Sequence, residues 1–163
     1  RAVSRAEPIV APYPFSTVAP TLGIVRVDEA ASFCMVDIPG LIEGAHEGKG
    51  LGLEFLRHIE RCRVLLLIID AASSETAPAD AYRQLLEELR LYSETLLERP
   101  RLVALNKVDM VPGGADSDAV RDFRAGAGED VFAISALSGE GVGALIKDLY
   151  RAVLDASDAE REG

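Results

Sequence analysis

Two short segments carry residue types and spacing suited to nucleotide chemistry. Asp37-Ile38-Pro39-Gly40 closes an apolar run, Phe33 to Val36. A carboxylate at the end of a buried strand can hold Mg²⁺ directly or through water, and the glycine of the following turn brings a backbone N–H up to a terminal phosphate. A lone D-x-x-G is ordinarily a turn cap. The second segment, Asn106-Lys107-Val108-Asp109, decides against that alternative. An Asp carboxylate held at a strand end accepts both the N1–H and the 2-amino hydrogens of guanine, a donor pair that adenine lacks. The Lys107 stem can lie along the purine face with its ammonium in water, and Asn106 can tie neighbouring loops together. Ser135-Ala136-Leu137 is a weaker third element whose backbone N–H groups can reach the guanine carbonyl. Thr17, with Ser16 as its neighbouring alternative, can offer a hydroxyl to Mg²⁺ and an N–H to the γ-phosphate. Loops ordered by such contacts are released on hydrolysis.

The elements that must position these groups read as strands alternating with helices. Pro8 to Pro20, with four prolines, is an extended loop. Thr21–Val27 is a strand, Asp28–Ser32 a turn, and the Phe33 strand its antiparallel neighbour. Glycines at 40, 44, 48, 50 and 52 make a loop, after which Leu53, Phe55, Leu56, Ile59 and Cys62 repeat at helical spacing. Val64–Asp70 is the most hydrophobic run and reads as a fully buried parallel strand. Asp80–Leu97 is an amphipathic helix, Arg101–Leu105 a strand ending at Asn106, and Asp116–Ala125 a helix stopped by Gly126 and Gly128. Val131–Ile134 is the last strand. Val142, Leu145, Ile146, Leu149 and Val153 mark the final helix, with a frayed acidic tail over 155–163. The pattern predicts a doubly wound α/β fold with a mostly parallel sheet, which binds ligands outside the carboxyl ends of its strands.

Composition bounds the partners. The chain has 163 residues, a net charge of −10 and 48% hydrophobic residues, so it is read as one domain, and its overall field disfavours nucleic acid and anionic membranes. Arg57, His58, Arg61 and Arg63 form a local basic group best read as a solvated helix face. The two cysteines, Cys34 and Cys62, fit no metal spacing and are expected to be buried and reduced. No apolar run approaches the ~20 residues of a membrane helix and no signal peptide is visible, so the expected location is cytoplasmic, without membrane contact.

YPFSTVAPTLGIV, DIPGLIEGAHEGKGLGLEFLRHIERC, NKVD and SAL together resemble the Obg family of ribosome-associated bacterial GTPases. The resemblance covers essentially the whole chain, 1–163. It implies a P-loop-NTPase-like G domain that binds GTP and GDP with Mg²⁺. In that reading Thr17 is the switch threonine on Mg²⁺, and Asp37 and Gly40 are the second switch. Thr17 and Gly40 then serve catalysis, and Thr17 and Asp37 the metal. Asn106, Lys107 and Asp109 form the base-recognition loop, and Ser135, Ala136 and Leu137 support it. The resemblance further implies a monomeric parent acting in large-ribosomal-subunit assembly and stress responses, with slow hydrolysis. Leu41 agrees with that slowness, because a Gln in the corresponding place orients the attacking water in Ras-type enzymes. Potassium, or a group from the ribosome, would then position the water.

The family pattern also requires a P-loop, G-x-x-x-x-G-K-[ST], on a first strand. The nearest text, Gly44 to Gly50, has three residues between its glycines, lacks the Ser/Thr and follows a different strand. The expectation is therefore a partial G domain lacking its first strand and P-loop. A slot between the Phe33 and Val64 strands and little activity for these residues alone follow from it. A non-hydrolysing interaction module that docks a partner through the glycine-rich loop is the alternative. An ATP-dependent kinase is disfavoured, since Asp109 would have no guanine to read.

Overall fold

The computed structural model describes residues 21–37 and 61–162. Strands β1 (Thr21–Arg26) and β2 (Ser32–Asp37) form an antiparallel pair in which Leu22 faces Val36 and Ile24 faces Cys34. Asp28 shapes the turn between them, its Oδ1 accepting the N–H groups of Ala30 at 2.8 Å and Ala31 at 2.7 Å. Short carboxylates favour such turns because they replace a backbone acceptor.

Strands β3 (Leu65–Asp70), β4 (Arg101–Asn106) and β5 (Val131–Ala133) form a parallel sheet in the order β3-β4-β5. Between them run helices α1 (Pro78–Tyr92), α2 (Glu94–Leu97) and α3 (Asp118–Ala127), and α4 (Val142–Glu162) follows β5. Alternate residues of the sheet feed two cores. Leu65, Leu67, Ile69, Val103 and Leu105 meet Tyr82, Leu85, Leu89, Val120 and Phe123 of α1 and α3. Leu102 and Ala104 meet Val142, Leu145 and Leu149 of α4, and Phe33 and Met35 of β2 pack against this second core. The α/β class and the parallel sheet with helices on both faces are as the sequence predicts.

Among the described residues β2 and β3 belong to separate sheets. Accordingly β3 departs from the fully buried strand expected: Ile68 is 51% exposed, on the face of β3 opposite the first core. The long helix expected over Asp80–Leu97 is broken at Ser93, which is extended (φ −163°, ψ 119°). Its N–H still donates to the Leu89 carbonyl at 2.9 Å, while its hydroxyl pairs with that of Thr95 at 2.7 Å. Short hydroxyl side chains offer the backbone such alternatives to the helix. The break turns Leu96 inward, to 1% exposure.

Helix α3 begins at Ser117, whose Oγ accepts the Val120 N–H at 3.3 Å. It runs through Gly126, contrary to the stop expected there, and ends at Gly128 with φ 68°. Nor does α4 fray after Asp155. It continues to Glu162, with Glu160 paired to Arg63 at 2.8 Å and Asp158 to Arg161 at 3.7 Å. Cys34 is exposed rather than buried, because Phe33 and Met35 take the core side of β2. Neither cysteine forms a disulfide. The Leu53–Cys62 helix, apart from its last two residues, and the Pro8–Pro20 loop lie outside the described residues. No helix among the described residues is long and apolar enough to cross a membrane.

Candidate functional site

The carboxyl ends of β3, β4 and β5 bring three loops together. Asp70 and Asn106 are register partners at the tips of β3 and β4, and the Ala71 N–H donates to the Asn106 carbonyl at 2.8 Å. Beyond Asn106 the chain turns sharply. Lys107 takes a left-handed conformation (φ 65°, ψ 32°), the one described non-glycine residue with positive φ, and Val108–Met110 form a 3₁₀ turn. Val108 is fully buried and anchors that turn in the first core, which leaves Lys107 and Asp109 at the surface. A left-handed lysine costs backbone energy and persists only where its surroundings fix it.

Two hydrogen bonds lace this turn to the segment after β5. The Val108 N–H donates to the Ile134 carbonyl at 3.2 Å, and the Ala136 N–H donates to Asn106 Oδ1 at 3.0 Å. The loop-tying role read for Asn106 is what its side chain does. Ser135 is fully buried and closes its own loop. Its N–H donates to the Glu140 carbonyl at 3.0 Å, its carbonyl accepts the Gly139 N–H at 2.8 Å, and its Oγ accepts the Ser138 N–H at 3.1 Å. Gly141 is held at φ 70° with no room for a side chain, since a Cβ there would stand 2.3 Å from the Ala133 carbonyl oxygen. Leu137 projects from the loop, 90% exposed.

The charge arrangement has one feature that the sequence reading missed. Lys107 Nζ is paired with Asp70 Oδ2 at 2.5 Å, while Asp70 Oδ1 accepts the Ala72 N–H at 2.9 Å. The Lys107 hydrogen bond holds the Asp70 carboxyl below its ordinary range, helped by the Ala72 N–H and opposed by desolvation. The available signal is an acid at the carboxyl end of the most hydrophobic strand, the same signal that singles out Asp37. Asp109, by contrast, makes no hydrogen bond or ion pair among the described residues.

Asp37 stands exposed at the carboxyl end of β2 and likewise has no side-chain partner among the described residues. It shares no hydrogen bond with the β4 and β5 loops. Thr17 and Gly40 lie outside the described residues. Among the described residues no group of three or more His, Cys, Asp or Glu side chains is placed to hold a metal. The structure thus joins Asn106, Lys107, Ser135 and Ala136 in one corner, adds Asp70 to them, and leaves Asp109 and Leu137 at its surface.

Comparison with known proteins gives the family setting. The model of a family described as 50S ribosome-binding GTPase matches residues 1–107. The cytosolic domain of the T. maritima FeoB iron transporter in apo form is similar in fold, with a TM-score of 0.62 and 20% identity over 95% of this chain and 56% of that one. The same domain in a GDP form gives 0.62 at 18% identity, again over 95% and 56%. The cytosolic domain of L. pneumophila FeoB gives 0.56 at 20%, over 93% and 60%. The chain therefore spans little more than half of these solved domains, and at such identities the likeness is one of fold.

Proposed function

This chain belongs to the 50S ribosome-binding GTPase family, and from that membership we propose that it is the base-reading part of an Obg-like GTPase serving large-ribosomal-subunit assembly and the stress response. Guanine-nucleotide binding goes with the family. The observation that carries the assignment of residues is the Ala136 N–H on Asn106 Oδ1 at 3.0 Å, which ties N-K-V-D and S-A-L into one corner. In this reading the uncommitted Asp109 carboxylate takes the N1–H and 2-amino hydrogens of guanine. The Ala136 N–H is already given to Asn106, so the Leu137 N–H, which has no acceptor among the described residues, is the donor left for the guanine carbonyl.

Mg²⁺ is the ion such a GTPase uses, and when bound it neutralises charge on the terminal phosphates. The donor chemistry of Asp37 suits it: an exposed carboxylate at a strand end, without a partner among the described residues, is a hard oxygen ligand. Thr17 and Asp37 would hold the ion, and the Gly40 N–H would meet the γ-phosphate. Leu41 cannot orient a water, so potassium or a ribosomal group completes hydrolysis, and the protein works in the cytoplasm as a monomer. The support for an Obg-type role, rather than an iron-transport role like that of the FeoB proteins, is the family description together with the D-I-P-G-L-I-E-G-A-H-E-G-K-G-L-G stretch.

The test is base selectivity. Asp109→Asn should shift preference from GTP toward XTP by about tenfold or more, since a mismatched polar contact costs about 1–3 kcal/mol and 1.4 kcal/mol is tenfold. An unchanged ratio retires the base-reading role. Phosphate release measured with potassium and large subunits then separates a GTPase from an interaction module. Binding to the subunit without any release would favour the module.

A further inference from the structure

We propose that Asp70 is a positioning residue for the base-recognition loop: by clamping the Lys107 ammonium it holds the left-handed turn that presents Asp109. The inference rests on the base-reading role proposed above, and its observations are separate from it. Asp70 is fixed from two sides. Its backbone is paired in register with Asn106, and its Oδ1 is occupied by the Ala72 N–H at 2.9 Å, which leaves Oδ2 facing Lys107. The carboxylate is thus a rigid post rather than a mobile surface acid. Lys107 is the residue in need of one, since its φ of 65° is a conformation that L-residues adopt only under constraint.

The other groups at this corner cannot supply the same restraint. The Asn106 side chain is engaged with Ala136, the Val108 N–H with Ile134, and the Met110 N–H returns to the Lys107 carbonyl at 3.0 Å. All of these act on backbone around Lys107, and Asp70 alone among the described residues acts on its side chain. The clamp also sets where the Lys107 stem lies. A stem held at both its backbone and its ammonium is a pre-formed apolar wall, which lowers the ordering cost when a flat purine settles on it. Asp70 therefore acts on binding through Lys107 and touches no nucleotide itself.

Asp70→Asn tests this because the amide keeps an acceptor for Ala72 and removes the charge. In the full 163-residue chain, amide hydrogen exchange at residues 107–110 should speed up several-fold while exchange in β4 stays put and the thermal midpoint falls only slightly. Guanosine is the binding probe, since an uncharged nucleoside reports the base corner without its phosphates. Followed by NMR line shifts, its affinity should fall roughly three- to fivefold, the range open to a part-exposed ion pair. That difference should close in 0.5 M NaCl, which a purely structural defect would not do. Unchanged exchange at 107–110 overturns the proposal, as does equal guanosine affinity in the native chain and the variant. A native chain that shows the exchange difference but no guanosine response, with Asp109→Asn equally silent, upholds the clamp and overturns the base reading alone.

Discussion

In β4 the four residues Leu102 to Leu105 are all buried, whereas in the β1–β2 pair the outer face leaves Leu22 53% and Ile24 60% exposed. The strands are similarly apolar, so the difference lies in their surroundings. β4 has a parallel neighbour on each side and a helical core against each face. The pair β1–β2 buries one face, through Val25, Phe33 and Met35, and shows the other. The strand ends differ as well. The segments after β4 and β5 are cross-laced by backbone and side-chain hydrogen bonds, while the exposed Asp37 carboxylate at the end of β2 has no partner among the described residues. The base recognition proposed for this corner would need it fixed, because it rests on donor and acceptor directions. A metal and phosphate site can take its final geometry from the ligand.

The largest expected effect sharpens this contrast in stability. Leu105→Ala, at a position 1% exposed, should cost about 3 kcal/mol by lost transfer energy and the cavity left behind. Ile24→Ala, on the outer face of β1, should cost below about 1 kcal/mol. Urea denaturation midpoints for the two decide it. Similar losses would mean that the outer face of β1–β2 is covered in solution.

Next in size is the turn behind the corner formed by the β4 and β5 loops. Gly141→Ala places a Cβ 2.3 Å from the Ala133 carbonyl oxygen at a residue with φ 70°. The backbone must shift, and a loss of about 1–3 kcal/mol is expected. Gly139→Ala is the internal control: its φ is 88° but no atom lies within 4 Å of the added Cβ, so it should lose less. Equal losses would show that positive φ, not the close approach, governs both sites.

How much of this is legible in the sequence follows the same divide. The strand ends at Asp37 and Asn106, the parallel sheet and the tying role of Asn106 can all be read from motif and alternation. They depend on local chemistry that the residue types declare. The break at Ser93 cannot, because the helical period runs on through Leu96 and only the hydroxyl pairing of Ser93 with Thr95 tells the two conformations apart. The order of α4 beyond Asp155 rests in part on Arg63, 97 residues away from Glu160. The exposure of Ile68 depends on which strand stands beside β3, information carried by no residue within β3. Asp70 falls between these cases. Its position is readable, but its partner is set by the left-handed turn at Lys107.

A smaller effect separates the two thiols, one in each region. Burial pushes the Cys62 thiol above its ordinary range, with the Arg99 charge opposing and Cys34 adding to the rise. Cys34 is exposed on β2. Thiolate is the reactive form, so iodoacetamide at pH 8 should label Cys34 several-fold faster than Cys62, read by peptide mass. Faster labelling of Cys62 would mean that the segment before β3 opens readily.

The smallest effect concerns the Asp70–Lys107 pair as a function of pH. The Lys107 hydrogen bond depresses the Asp70 carboxyl in the folded protein. A depressed carboxyl contributes stability that is fully present above its unfolded value, about 3.9, and is lost as pH falls through the lower folded value. The side chains of Lys107 and Asp70 are 51% and 37% exposed, so solvent screening holds the contribution below about 1 kcal/mol. Asp70→Asn should therefore melt slightly below the native chain at pH 6 in low salt. The gap should close as the pH drops below about 3.9, because protonation then removes the same charge from the native protein. Other carboxylates titrate over this range too, but they are common to both proteins and cancel in the difference. A deficit that stays constant down to pH 2.5 would assign the loss to the Ala72 turn rather than to the ion pair. The fixed corner of the molecule would then owe its order to its hydrogen bonds rather than to the ion pair.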